Sequence, residues 1–141
     1  MSALTPVKCD VWEKVTGIGG VFFRARDPEA LAAWYHDHLG IDTEEGKPWE
    51  QQGGFTVFAP FDEATDYFGR REQQWMLNFR VSNLDAMLDQ LRGADVPVDE
   101  AIEVMDGIGR FGWATDPEGN RFELWEPATT NEDSGDDAKQ P

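Results

Sequence analysis

Two stretches of the chain carry apolar residues at helical spacing. Leu31, Trp34, Tyr35 and Leu39 form one stripe, and Leu84, Met87, Leu88 and Leu91 form another at i, i+3, i+4, i+7. Each stripe is bounded by residues suited to helix ends. Asp27 and Asn83 can accept hydrogen bonds from the first free N–H groups. Pro28 sits where no N–H is missed, and Glu29 and Asp85 suit the positive end of the dipole. Gly40 and Gly93 fit a left-handed stop. Outside the helices the pattern changes to strand-like alternation. Strands are expected over 20–25, 55–60, 75–81 and 122–127. Shorter ones are expected near 41–45 and 48–52, on either side of Gly46-Lys47, and near 99–105 and 110–115, on either side of Asp106-Gly107.

These elements repeat. Phe23, Arg24, Asp27 and Ala30 align with Phe79, Arg80, Asn83 and Ala86 at an offset of 56. "FTVFAP" at 55–60 matches "FELWEP" at 122–127 at an offset of 67, so loop lengths differ between the halves. Each half therefore reads strand–helix–strand–strand–strand, and residues 61–74 link them.

Composition narrows the classes. A chain of 141 residues suits one domain able to bury roughly 68–70% of its unfolded surface. The expected division is an N-terminal arm over 1–15, one domain over 16–127 with modules 16–60 and 75–127, and a disordered acidic tail over 128–141. There are 12 basic against 28 acidic residues, a net charge of −16, which repels nucleic acid and anionic membranes. Only four of the twelve basic residues are Lys, as in adaptation to high salt. No apolar run reaches membrane-spanning length, and the N-terminus lacks the order of a signal peptide. With Cys9 as the lone cysteine, a cytoplasmic location is the expectation. No P-loop, Rossmann glycine pattern or Ser-His-Asp arrangement is present. His36 and His38 lie two apart on one helix, so they face different ways, and they read as solvent-exposed.

The repeat and the ending "DPEGNRFELWEP" at 116–127 resemble the vicinal oxygen chelate superfamily of glyoxalase I, extradiol dioxygenases and bleomycin- and fosfomycin-resistance proteins. The resemblance covers about residues 16–127. It implies an α+β fold in which two βαβββ modules form a curled, mostly antiparallel sheet around a cavity. It also implies a homodimer, because many members complete the cavity across chains. The family's four metal positions fall on Gly20, Thr56, Met76 and Glu123. Glycine has no side chain, a thioether is a soft ligand and a hydroxyl is a weak one. One carboxylate does not hold a divalent metal, so no metal and no cofactor are expected.

If those four positions face the cavity, strand alternation places others beside them. Phe22, Arg24, Phe58, Asn78, Arg80, Arg121 and Trp125 then join Met76 and Glu123 as the candidate ligand-binding set, with Trp75 and Trp113 at its edge. The opposite positions Val21, Phe23, Ala25, Phe55, Val57, Leu77, Phe79, Val81, Phe122 and Leu124 are all apolar and should meet the helices. Such a lining suits a small, partly aromatic or anionic molecule, with Arg24 and Arg80 either binding an anionic group or pairing with Glu123, Glu126 or helix carboxylates. Glu123 needs a partner: an arginine, or a hydrogen bond from Asn78. Two readings stand. One is a metal-free binding protein. The other is an enzyme, either a metal-dependent lyase or dioxygenase or a metal-free catalyst with Glu123 as acid or base.

Overall fold

A computed structural model describes residues 13–129. Cys9 and the acidic run after Thr129 lie outside the described residues. The elements are α1 (Pro28–Leu39), β1 (Asn78–Arg80), α2 (Leu84–Gly93), β2 (Glu103–Met105), β3 (Gly109–Thr115) and β4 (Arg121–Pro127). The four strands make one open, mixed sheet in the order β1-β4-β3-β2. β4 runs parallel to β1 and antiparallel to β3, and β3 runs antiparallel to β2. The class is α+β, and the second half has the expected order of strand, helix and three strands.

The helix starts form as the cap residues dictate. Asp27 accepts from the Ala30 N–H at 3.1 Å, and Asn83 accepts from the Ala86 N–H at 3.0 Å. Gly40 closes α1 with φ of 71°. Gly93 does not do the same for α2. It is the last helical residue, and the left-handed turn falls instead on Asp95 (φ 63°). A short polar side chain tolerates that conformation, so the helix can run past the glycine before stopping.

Leu84, Leu88 and Leu91 of α2 pack against Phe122 and Leu124 of β4 and Ala114 of β3, joined by Leu31 and Tyr35 of α1. Leu77, Phe79, Val81 and Ala25 pack at the edge of this core, as strand alternation required. Two glutamates of the sheet tie the helix starts to it. Glu126 accepts from the Leu84 N–H at 2.8 Å. Glu118, in the β3–β4 turn, accepts from the Arg26 and Asp27 N–H groups at 2.6 and 2.9 Å. These backbone donors, the largest influence in each case, hold both carboxyls below their ordinary range, as expected at the positive end of a helix dipole.

The same turn carries Asp116, 3% exposed. Its carboxylate accepts from the Tyr35 hydroxyl (2.7 Å), the Asn120 side-chain amide (2.8 Å), and the Glu118 and Asn120 N–H groups (2.8 and 3.0 Å). Burial first, then this bond and the nearby charge, push the Tyr35 hydroxyl far above its ordinary pKa, so it remains a donor.

The first half differs from expectation. Segments 20–25 and 41–60 form no paired strand among the described residues. Phe23 reaches the Tyr35 ring edge-on at 6.3 Å, yet Val21 and Phe23 stay half exposed, and Phe55 and Val57 are exposed rather than packed on a helix. Apolar alternation buries a strand only against a second layer, and the described elements supply none beside these segments.

Replacing Asp116 by Ala should remove about 3 kcal/mol or more of stability, because four donors lose their acceptor and the Tyr35 hydroxyl is left buried. Tyr35→Phe should cost about 1 kcal/mol. Urea denaturation at neutral pH measures both.

Candidate functional site around Glu123

Along β4 the side chains alternate between faces. Phe122 and Leu124 enter the core, whereas Glu123 and Trp125 stand on the opposite face. Strand register then sets their neighbours. Glu123 lies between Asn78 of β1 and Trp113 of β3, and Trp125 lies between Arg80 of β1 and Phe111 of β3. Glu123 is buried and fully engaged. Its Oε1 accepts from the Asn78 amide at 2.8 Å and its Oε2 from the Tyr67 hydroxyl at 2.6 Å. The bond from Asn78 is one of the two partners the sequence suggested; no arginine pairs with Glu123 among the described residues.

Tyr67 comes from the segment linking the two halves. Phe61 stacks on its ring at 5.4 Å with 21° between planes, and Trp113 meets it edge-on at 6.2 Å. Burial, then the bond to Glu123 and its charge, raise the Tyr67 hydroxyl well above its ordinary pKa. It therefore stays protonated and donating. Gln73 fastens the same segment to β4. Its side-chain amide donates to the Arg121 carbonyl at 2.7 Å and accepts from the Arg121 N–H at 2.8 Å.

Beside Glu123 the face is aromatic. Phe111 and Trp125 stack at 6.0 Å with 5° between planes. The Trp125 indole N–H donates to the Ile108 carbonyl at 2.9 Å. Gly109 (φ 137°) makes room for that arrangement, since a Cβ there would strike the Glu126 carbonyl and stand 2.8 Å from the Trp125 ring nitrogen. Trp113 is 5% exposed, and its indole N–H has no hydrogen-bond partner among the described residues. That N–H lies beside the Tyr67 hydroxyl, where it works against the larger influences that raise the Tyr67 pKa.

The candidate residues fall into three groups. Asn78, Arg121, Glu123 and Trp125 gather on this face. Arg121 serves as a clamp there: it pairs with Asp99 at 2.8 Å, donates to the Tyr67 carbonyl at 3.1 Å and lies over the Trp113 ring at 5.4 Å. Arg80 and Met76 stand at the β1 edge. The Arg80 guanidinium donates to the Gln52 and Phe55 carbonyls rather than to a carboxylate. Of the carboxylates expected for it, Glu123 is held by Asn78 and Tyr67, and Glu126 is taken at 3.0 Å by Arg110, which also pairs with the helix carboxylate Asp85 at 3.2 Å. Phe22 and Phe58 form the third group with Gly20 and Thr56. All four lie in exposed segments, Phe22 being 96% and Phe58 79% exposed. Arg24 lines a different cleft, near the start of α1. Trp75 is exposed. Of the histidines, His36 is exposed and His38 is half-buried against Trp34 at 5.1 Å, which corrects the expectation that both face solvent.

No group of three or more His, Cys, Asp or Glu side chains comes together as a metal site among the described residues. The shell of Glu123 is an amide, a phenol and an indole, two of them hydrogen-bond donors to it. That shell does not fit a divalent ion. Among the described residues no helix is long and apolar enough to cross a membrane. Sequence reasoning missed Tyr67, Phe61 and Phe111; the one signal was the aromatic group Phe61, Tyr67 and Phe68 inside an otherwise polar link.

Tyr67→Phe should keep the stack on Phe61 and leave Glu123 Oε2 without its donor. The expected cost is about 1–2 kcal/mol. In a double-mutant cycle with Glu123→Gln, measured by urea denaturation, a coupling energy of similar size should appear.

Comparison with known proteins agrees with this architecture. No curated protein matches the chain. Among solved structures it is similar to TnmS3, an antibiotic-binding protein from Streptomyces sp. CB03234, at 18% identity and TM-score 0.53, covering 81% of this chain and 98% of that one. It is also similar to a protein of unknown function from Agrobacterium tumefaciens str. C58, at 21% identity and TM-score 0.53, covering 84% and 100%. A third is a superfamily member from Sphaerobacter thermophilus DSM 20745, at 19% identity and TM-score 0.52, covering 79% and 98%. At these identities the likeness concerns the fold. The pattern of one family matches residues 17–124, and the chain belongs to that family, the Glyoxalase/Bleomycin resistance protein/Dioxygenase superfamily.

Proposed function

We propose that this chain binds a small, partly aromatic molecule on the face around Glu123, without a metal ion and without chemistry of its own. The observation that carries the reading is the set of groups on that face. Phe111, stacked on the buried Trp125, offers a flat apolar surface beside a carboxylate whose partners are both donors. A flat aromatic ligand that stacks on Phe111 suits this face. The family's other metal positions, as aligned here, carry Gly20, Thr56 and Met76, which supports binding without a metal. The antibiotic-binding character of TnmS3 is consistent with such a use of the fold.

The reading includes a homodimer. The exposed apolar residues Phe22, Phe55, Val57 and Phe58 belong to segments with strand-like alternation and no sheet neighbour. A second copy supplies the missing layer over these residues. Phe22 and Phe58 then enter the lining from the paired half, and Arg80 already holds the 52–55 segment at the β1 edge.

Protein kept in EDTA should bind flat aromatic antibiotics or metabolites from a screening panel, with quenching of tryptophan fluorescence. Trp125→Ala should weaken a confirmed ligand about ten-fold or more. Light scattering should give twice the mass of the chain. A stoichiometric transition metal lost with activity on chelation would instead support the lyase or dioxygenase reading.

A further inference from the structure

A second cluster lies apart from the aromatic face, where the start of α1 meets the β3–β4 turn. Arg24, Arg26 and Arg70 line one open cleft of about 270 Å³, together with Ala25, Glu118 and Asn120. None of these residues belongs to the face around Glu123.

Three guanidinium groups on one cleft repel one another unless anions offset them. The one carboxylate lining the cleft, Glu118, accepts backbone N–H groups at the start of α1 with both oxygens, and its single charge offsets at most one of the three. Among the described residues no carboxylate stands within ion-pair distance of Arg24, Arg26 or Arg70; the ion pairs formed there use His36, Lys47, Arg110 and Arg121. In a chain with 28 acidic and 12 basic residues, three arginines gathered on a cleft with one carboxylate are unexpected by composition.

Arg70 is also held in position. Its Nη2 donates to the Glu118 carbonyl at 3.3 Å and to Asn120 Oδ1 at 3.2 Å. The guanidinium lies against Gly119, where a Cβ would stand 3.4 Å from it, so it rests on the bare backbone of the turn. Its Nη1 and Nε donate to nothing among the described residues. Guanidinium groups fixed this way suit an oxyanion, which takes two or three charge-assisted bonds at once.

We propose that this cleft binds a doubly charged oxyanion group, a phosphate or a dicarboxylate, through Arg24, Arg26 and Arg70. The site is independent of whatever occupies the aromatic face.

The test is titration of the full chain with inorganic phosphate and, separately, succinate, followed by amide NMR at constant ionic strength. Saturable shifts at Arg26, Asp27 and Gly119 are expected with at least one of them, and the responding probe identifies the ligand chemistry. Arg70→Gln should weaken binding at least about ten-fold. The double variant Arg24→Gln, Arg26→Gln should do likewise and carries the test if Arg70→Gln does not fold, since neither side chain makes a bond among the described residues. Arg92→Gln, on α2, should leave the titration unchanged. The proposal is overturned if both anions give only the non-saturating shifts that chloride gives. It is equally overturned if saturable binding survives in the arginine variants.

Discussion

The carboxylate of Asp116 is the contact on which the arrangement of the two halves depends. A buried charge survives only when its hydrogen-bonding capacity is met, and here four donors meet it. Three come from its own turn and fix the path from β3 into β4. The fourth is Tyr35 of α1, a helix from the other half of the chain. Because the turn is fixed, Glu118 reaches the start of α1 from the other side. One five-residue turn thus sets both where α1 sits and where β4 begins.

The start of β4 decides what the site contains. With Arg121 as its first residue, Phe122 and Leu124 fall in the core. Glu123 then falls opposite Asn78 and Trp113. A shift by one residue would expose the two most tightly packed side chains of the strand and bury the carboxylate among leucines. Gln73 and Arg121 guard that register by binding the strand's first residue to the linking segment through side chain and backbone. The same fastening brings Tyr67 over Glu123, so the polar centre of the site is assembled by the elements that hold the strand.

Much of this was legible before the structure. Both helices, both N-caps and the second half's strand order follow from local patterns: apolar spacing, cap residues and a two-residue alternation; the bond of Asn78 to Glu123 was one of two partners suggested through the family resemblance. These signals are local because each depends on neighbours within one turn or one strand. Three features were not legible. Tyr67 lies in a polar stretch with no periodicity, and its partner is 56 residues away. Gly93 has the residue type of a helix stop, but the chain continues to Asp95 before turning, and the next residue, Val96, packs in the core. The alternation around Phe22, Phe55 and Phe58 identifies apolar faces without saying what covers them. Pattern gives the need for a layer, not its source.

The central claim is that an aromatic ligand, and no metal, occupies the face around Glu123. Its most direct test is a crystal structure of protein purified without chelator and soaked with a confirmed ligand. The account predicts flat density against Phe111, and Glu123 still bonded to Asn78 and Tyr67. Anomalous density of a metal ion at coordination distance from Glu123 would contradict it.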